Sequence, residues 1–162
     1  MATVTATTRK DNKTSAGKGI ANTGIFVGTR TIELAASASG TIIDFDLKIP
    51  SNMRIAGNSR LYWDDLATTG SPTLDVGLYA VDSNITSDDD ALNDGLALSA
   101  VSTANVGAVV VKDIANFGKK AYEYVSGQTS DPKGLLAVKG IVRDAATTAT
   151  GTVTLELYGY LD

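Results

Sequence analysis

The feature of this sequence that most constrains its fold is a strict alternation of apolar and polar side chains. In residues 41–49 the apolar side chains are Ile43, Phe45, Leu47 and Ile49, and the polar ones between them are Asp44, Asp46 and Lys48. A period of two places the apolar set on one face of an extended chain, whereas a helix would need a period of 3.6. Pro50 cannot donate to a sheet ladder and ends the run. The pattern predicts a half-buried β-strand.

Runs of the same type recur along the chain, at residues 29–34, 73–81, 121–125, 134–142 and 151–161. Turn signals such as Gly57-Asn58 and Ser71-Pro72 separate some of them. About eight short strands at spacings of roughly 8–15 residues are typical of a sandwich or barrel. The sequence therefore predicts an all-β fold, a single β-sandwich without internal repeats or an interdomain linker.

The first 23 residues differ in texture from the rest. They are rich in Thr, Ala, Lys, Gly and Asn, have almost no bulky apolar side chain before Ile20, and show no periodicity. Their net charge is +3, from Asp11 and four basic residues, Arg9, Lys10, Lys13 and Lys18. We interpret residues 1–23 as an extended N-terminal arm and residues 24–162 as the β-sandwich domain. The alternative is a disordered tail.

The charge and composition exclude several classes of function. The chain has a net charge of −4 and no Cys or His. An acidic surface disfavours nucleic acid as a partner, because such binders release counterions with a basic face. Without Cys and His, the thiolate nucleophiles, the zinc thiolate sites and the commonest general base are missing. We expect a protein that is not an enzyme and has no cofactor.

Membrane association is not expected either. No stretch approaches the roughly 20 apolar residues that span a bilayer, and residues 1–23 lack the apolar segment of a signal peptide. The sequence therefore predicts synthesis in the cytoplasm and no membrane partner.

The acidic segment 82–95 is the natural place to look for a metal site. Aligned with an EF-hand loop, it has Asp82, Asn84 and Thr86 at the first three ligand positions. Ser87 stands where that loop requires Gly, and Asn93 where it requires Glu. The mismatch favours a solvated acidic loop over a Ca²⁺ site. We also expect Ser87 to cap a short helix over residues 88–92.

One further cluster suggests chemistry on carbohydrates. Asp64 and Asp65 follow Tyr62 and Trp63, which is an acidic pair beside two aromatic rings. Glycosidases need two carboxylates across a cleft, whereas adjacent Asp residues at a strand end more often begin a turn. We therefore predict no catalytic residue in this chain.

Three segments of the sequence resemble a known family. Residues 73–79 (TLDVGLY), the Asp-rich loop that follows with Ala91-Leu92, and residues 152–158 (TVTLELY) look like the small head decoration, or cement, proteins of tailed bacteriophages. The resemblance implies a jelly-roll β-sandwich on the outer surface of the capsid, often as a homotrimer, that binds the major capsid protein and stabilises contacts between its subunits. It also implies that Arg9, Lys10, Lys13 and Lys18 contact the shell or the next protomer.

Two alternatives remain open from the sequence. One is another virion structural protein, such as a tail-tube or fibre-base subunit, which would assemble into rings or filaments. The other is a carbohydrate-binding β-sandwich module, which would present aromatic side chains such as Trp63 to a sugar.

Overall fold

The computed structural model describes residues 2–5, 8–13, 25–106 and 119–161. Eleven strands and one short helix lie within them: β1 (Thr3–Thr5), β2 (Thr8–Lys13), β3 (Ile25–Leu34), β4 (Ile42–Pro50), β5 (Arg54–Ile55), β6 (Arg60–Trp63), β7 (Thr73–Ala80), β8 (Asp88–Ala97), β9 (Ser102–Asn105), α1 (Ala121–Tyr124), β10 (Leu135–Arg143) and β11 (Gly151–Tyr160). The all-β fold class is confirmed. The apolar run at residues 108–111, for which the sequence also predicts a strand, lies outside the described residues.

The strands form two sheets. Sheet I has the order β1-β4-β10-β7-β8, and sheet II has the order β2-β3-β11-β6-β9, with β5 paired to β11 beside that path. Eight strands, β3, β4 and β6 to β11, make up the body of both sheets, and every neighbouring pair among them is antiparallel. Numbered one to eight along the chain, they run 1-8-3-6 in one sheet and 2-7-4-5 in the other. This order is that of a jelly roll.

The core lies between the two sheets and is built from the alternating residues. In β4, Ile43, Phe45 and Ile49 are fully buried and Leu47 is 2% exposed, as the sequence pattern predicts. In β11, Val153, Leu155 and Leu157 are likewise buried, while the intervening side chains are partly exposed. Sheets that pack face to face bury one side of each strand, which is why the period of two persists along both strands.

A bulge interrupts β4 without changing which face is buried. Val138 pairs with Leu47, and the next residue of β10, Lys139, pairs with Asp44. Two extra residues are thus inserted in β4, and an even number keeps the alternation in phase. Asp46 adopts a φ of 50°, and its backbone N–H donates to the Asp44 carboxylate at 2.8 Å.

Two local predictions are wrong. Residues 88–92 are not a capped helix but the start of β8, and the Ser87 hydroxyl accepts from the N–H of Ala80 at 2.9 Å instead of capping. Residues 121–124, predicted as strand, form the single turn α1, in which the Lys120 N–H donates to the Glu123 carboxylate at 2.6 Å. In residues 88–92, pairing with β7 overrides the local pattern. In residues 121–124, the capping contact favours a helical turn over a strand.

Candidate assembly surfaces

The N-terminal segment lies on the edges of both sheets. β1 pairs in parallel with β4, from Thr3 opposite Ile42 to Thr5 opposite Asp44. β2 pairs antiparallel with β3, from Thr8 opposite Thr31 to Lys13 opposite Phe26. Parts of the predicted arm are therefore extended strands of the sandwich. The division of the chain at residue 23 stays a prediction.

The four basic residues proposed as partner contacts are divided by this arrangement. Arg9, Lys10 and Lys13 lie on β2, where Arg9 stands opposite Arg30 and Lys10 opposite Thr29. Lys18 lies outside the described residues. The structure thus places three of the four on one edge strand of sheet II.

The outward face of sheet I holds a network of ion pairs that the sequence analysis missed. The Arg143 guanidinium on β10 donates to Asp75 on β7 at 3.1 Å and to Asp89 on β8 at 2.8 Å. Asp75 is only 8% exposed. Burial lowers the pKa of Arg143, but the hydrogen bonds and charges of Asp75 and Asp89 outweigh that effect and the pKa is raised. One cation thereby joins three strands.

The same face contains a second ion pair beside a tyrosine. Lys139 lies 3.0 Å from the Asp44 carboxylate, and its ammonium is 5.7 Å from the centre of the Tyr79 ring, within cation–π range. Burial raises the pKa of Tyr79, and the neighbouring Asp89 raises it further. Tyr79 therefore stays a neutral phenol at physiological pH. No sequence pattern signalled these pairs, because their members lie on separate strands.

The outward face of sheet II carries hydroxyl and aromatic groups instead. The Thr31 and Thr154 hydroxyls are 3.0 Å apart across β3 and β11, and the Tyr62 hydroxyl lies 3.4 Å from the Glu156 carboxylate. Tyr62 is 41% exposed. Arg60 stands opposite Glu156 in the pairing of β6 with β11, so the face also carries charged groups. Exposed Tyr and Thr side chains suit contact with another protein.

The cluster beside Trp63 has a structural role. Trp63 is 6% exposed, and its indole N–H donates to the Ala97 carbonyl at 3.0 Å, so it cannot serve as a stacking platform. One carboxylate oxygen of Asp64 accepts from the Thr152 N–H at 2.6 Å and from its hydroxyl at 2.9 Å. Asp65 accepts from the Ala67 N–H at 3.1 Å, which is a turn contact. These side chains bind the loop after β6 to the start of β11.

The acidic segment 82–95 is likewise tied to its surroundings. Asp82 accepts from the Leu135 N–H at 2.7 Å, Asp88 from the Ser126 N–H at 2.6 Å, and the Asn84 amide donates to the Pro132 carbonyl. Within the described part of the chain, no group of three or more acidic side chains is placed to hold a metal ion. A hydrogen bond with Asp88, burial and the charge of Asp88 raise the pKa of Asp90.

Among the described residues no helix is long and apolar enough to cross a membrane.

Comparisons with known proteins identify the fold. No protein-family model matches the sequence, and neither does any curated protein. The fold matches a chain of a solved structure described as the cyanophage Pam1 capsid asymmetric unit, with a TM-score of 0.52 and 19% sequence identity. The match covers 93% of this chain and 94% of that one. Similarity at this level of identity extends to the fold, an all-β sandwich spanning nearly the whole of both chains.

Proposed function

We propose that this chain is a structural protein of a phage virion that decorates the outer surface of the head. The observation that carries the proposal is the similarity of its fold, over nearly its full length, to a chain from a cyanophage capsid asymmetric unit. In this proposal the partner is the major capsid protein, the decorating unit is a homotrimer, and the protein has no catalytic role.

Two features of the molecule support a role in assembly. The basic residues Arg9, Lys10 and Lys13 lie together on an edge strand, whereas residues 24–162 carry a net charge of −7. Such a strand can bind an acidic shell surface, with charges that steer the encounter. The outward face of sheet II, with Tyr62 exposed on it, provides a second surface for protein contact.

The test is addition of purified protein to heads from a phage that lacks this gene. We expect saturable binding to a repeated outer site, seen by electron microscopy and by co-sedimentation with the heads. Light scattering should give a mass near three times the 16.7 kDa of one chain. Rings or filaments without head binding would favour the tail-tube or fibre-base alternative, and absence of binding to any virion part would overturn the proposal.

The contribution of the basic strand can be isolated with matched variants. Replacement of Arg9, Lys10 and Lys13 by Glu should weaken head binding at least tenfold and reduce its dependence on salt. The control replaces Lys48, Lys120 and Lys133 by Glu, which changes the total charge equally at positions away from β2. Deletion of residues 1–20 should abolish binding and leave the domain folded. Equal binding by the two charge variants would refute the role of β2.

A further inference from the structure

Residues 2–13 cover one open side of the sandwich. β4 and β3 would be the edges of the two sheets on that side, and β1 and β2 cap them. Two residues separate β1 from β2 in the sequence, so one continuous stretch of chain supplies an edge strand to each sheet. The Ile42 N–H also donates to the Ala2 carbonyl at 2.9 Å, which extends the contact by one residue.

The jelly roll is complete without this segment. The eight strands from β3 to β11 that form it are joined by antiparallel pairs, whereas β1 adds a parallel pair of three residues. Among the described side chains of the segment, Val4 packs against the core. Removal of the segment would leave two open strand edges, which favour pairing with another chain.

The chain between β2 and β3 is longer than their pairing requires. Antiparallel neighbours are commonly joined by two to five residues. Here eleven residues, 14–24, separate the end of β2 from the start of β3. Eleven residues can span at most about 36–40 Å. A domain of this length has a radius of gyration of about 15 Å, and hence a diameter near 40 Å. Fully extended, the connection thus spans about one domain diameter, which is enough to reach an edge of an adjacent copy that faces it.

We infer that residues 2–13 are an exchange segment, which pairs with β3 and β4 of a second copy of this chain. The exchanged and self-paired forms contain the same strand pairs, so exchange has little intrinsic cost. It adds contacts between the bodies of the two copies, and a linkage through several strands raises the overall affinity. The segment is basic and the body acidic, which favours its docking on a neighbour. This inference goes beyond the proposed function and needs no phage head.

The absence of Cys from the chain allows a direct test by disulfide trapping. Lys10 and Thr29 are opposite one another in the β2–β3 register, at the separation that a disulfide can bridge. The double variant Lys10→Cys with Thr29→Cys should form disulfide-linked dimers or trimers on oxidation, visible on a non-reducing denaturing gel. The matched control is Thr31→Cys with Thr154→Cys, whose hydroxyls are 3.0 Å apart within the body. It should give monomers with a closed disulfide.

Mixing of single variants distinguishes true exchange from random oxidation. An equal mixture of Lys10→Cys and Thr29→Cys chains should give linked dimers at least fivefold above either variant oxidised alone. Two results would overturn the inference: the double variant yields only disulfide-closed monomers, or the mixture yields no more dimer than its components. Head binding is measured separately, so failure of exchange and failure of the proposed function are distinguishable.

Discussion

The two sheets cover one core from opposite sides, yet their outward faces are held together by different chemistry. On sheet I, Arg143 joins Asp75 and Asp89 across three strands, with Asp75 nearly buried. On sheet II, the cross-strand contacts are made by hydroxyl groups, such as Thr31 with Thr154 and Tyr62 with the Glu156 carboxylate. The stability of sheet I therefore depends on keeping nearly buried charges paired, whereas sheet II presents exposed hydroxyl and aromatic groups that can contact a partner.

The largest expected effect concerns the backbone beneath the ion pairs of sheet I. A Cβ at Gly77 would overlap the carbonyl oxygens of Asp88 and Asp89 on the bulged strand β8. Because backbone atoms cannot move aside cheaply, Gly77→Ala should destabilise the fold by about 3 kcal/mol or more. Urea unfolding measures the change.

The matched control is Gly140→Ala on the neighbouring strand. There the new Cβ would meet the end of the Leu74 side chain at 3.0 Å, which can shift. A loss of about 1 kcal/mol is expected. Similar losses for both variants would show that the close approach of β8 to β7 is not what requires Gly77.

The next effect tests whether paired charges hold sheet I. Arg143→Met should leave the nearly buried Asp75 carboxylate without its cation, at a cost of about 1–3 kcal/mol. This cost is lower than that of breaking a fully buried ion pair, because the Arg143 side chain is 40% exposed. The double variant Arg143→Met with Asp75→Asn should recover most of the loss, because an amide oxygen can still accept from the Gly95 N–H, which donates to Asp75 at 2.8 Å. A control on sheet II, Arg60→Met, removes an exposed charge and should change little. A double variant as unstable as the single one would contradict this explanation.

A smaller effect is expected on sheet II. Thr31→Val leaves the Thr154 hydroxyl without its cross-strand partner and should cost about 0.5–1 kcal/mol. Adding Thr154→Val removes both hydroxyls, keeps the β-branched shape and should recover part of the loss. Unlike the loss in Arg143→Met, these changes should be the same at 0.05 and 1 M salt. A strong salt dependence of the Thr31 and Thr154 variants would show that the two faces do not differ in the way proposed.

The smallest effects appear in the pH dependence of stability. The Ser51 hydroxyl and the Lys133 N–H hold the pKa of Asp131 below its usual value. A lowered folded pKa contributes stability that is present above the unfolded pKa and lost as pH falls through the folded one. Asp131→Asn should therefore lower stability at pH 7 and converge with the wild type at strongly acid pH.

Asp90 should behave in the opposite sense. Its hydrogen bond with Asp88 raises its pKa, so its ionisation opposes folding at neutral pH. The penalty shrinks as pH falls through the folded pKa and is gone below the unfolded pKa. Asp90→Asn should stabilise the protein at pH 7 and have no effect near pH 2. Parallel urea titrations of both variants from pH 2 to 7 test the two signs together, and equal signs would refute the assignment.

The sequence predicted the fold class and much of the core, but its local assignments failed where a remote element intervened. The pattern in residues 41–49 was enough to identify the buried face of β4 because alternation is a property of the extended chain itself. The segment 88–92 was assigned to a helix, since its acidic residues suit a helix N-terminus. The strand β7, with Gly77 permitting close approach, holds it in a sheet instead. Of the candidate contact residues, Arg9, Lys10 and Lys13 share an edge strand that the sequence did not reveal.

By itself the sequence determined that β4, β7 and β11 are extended and which side of each is apolar, because that alternation repeats every two residues and needs no partner. Only the tertiary structure decided the pairing of strands and the charge network on sheet I. Arg143 meets Asp75 and Asp89 across 68 and 54 residues of chain, and nothing in the local pattern of any strand specifies its neighbour. The jelly-roll order, the position of β2 at the edge of sheet II and the burial of Asp75 all follow from that long-range pairing.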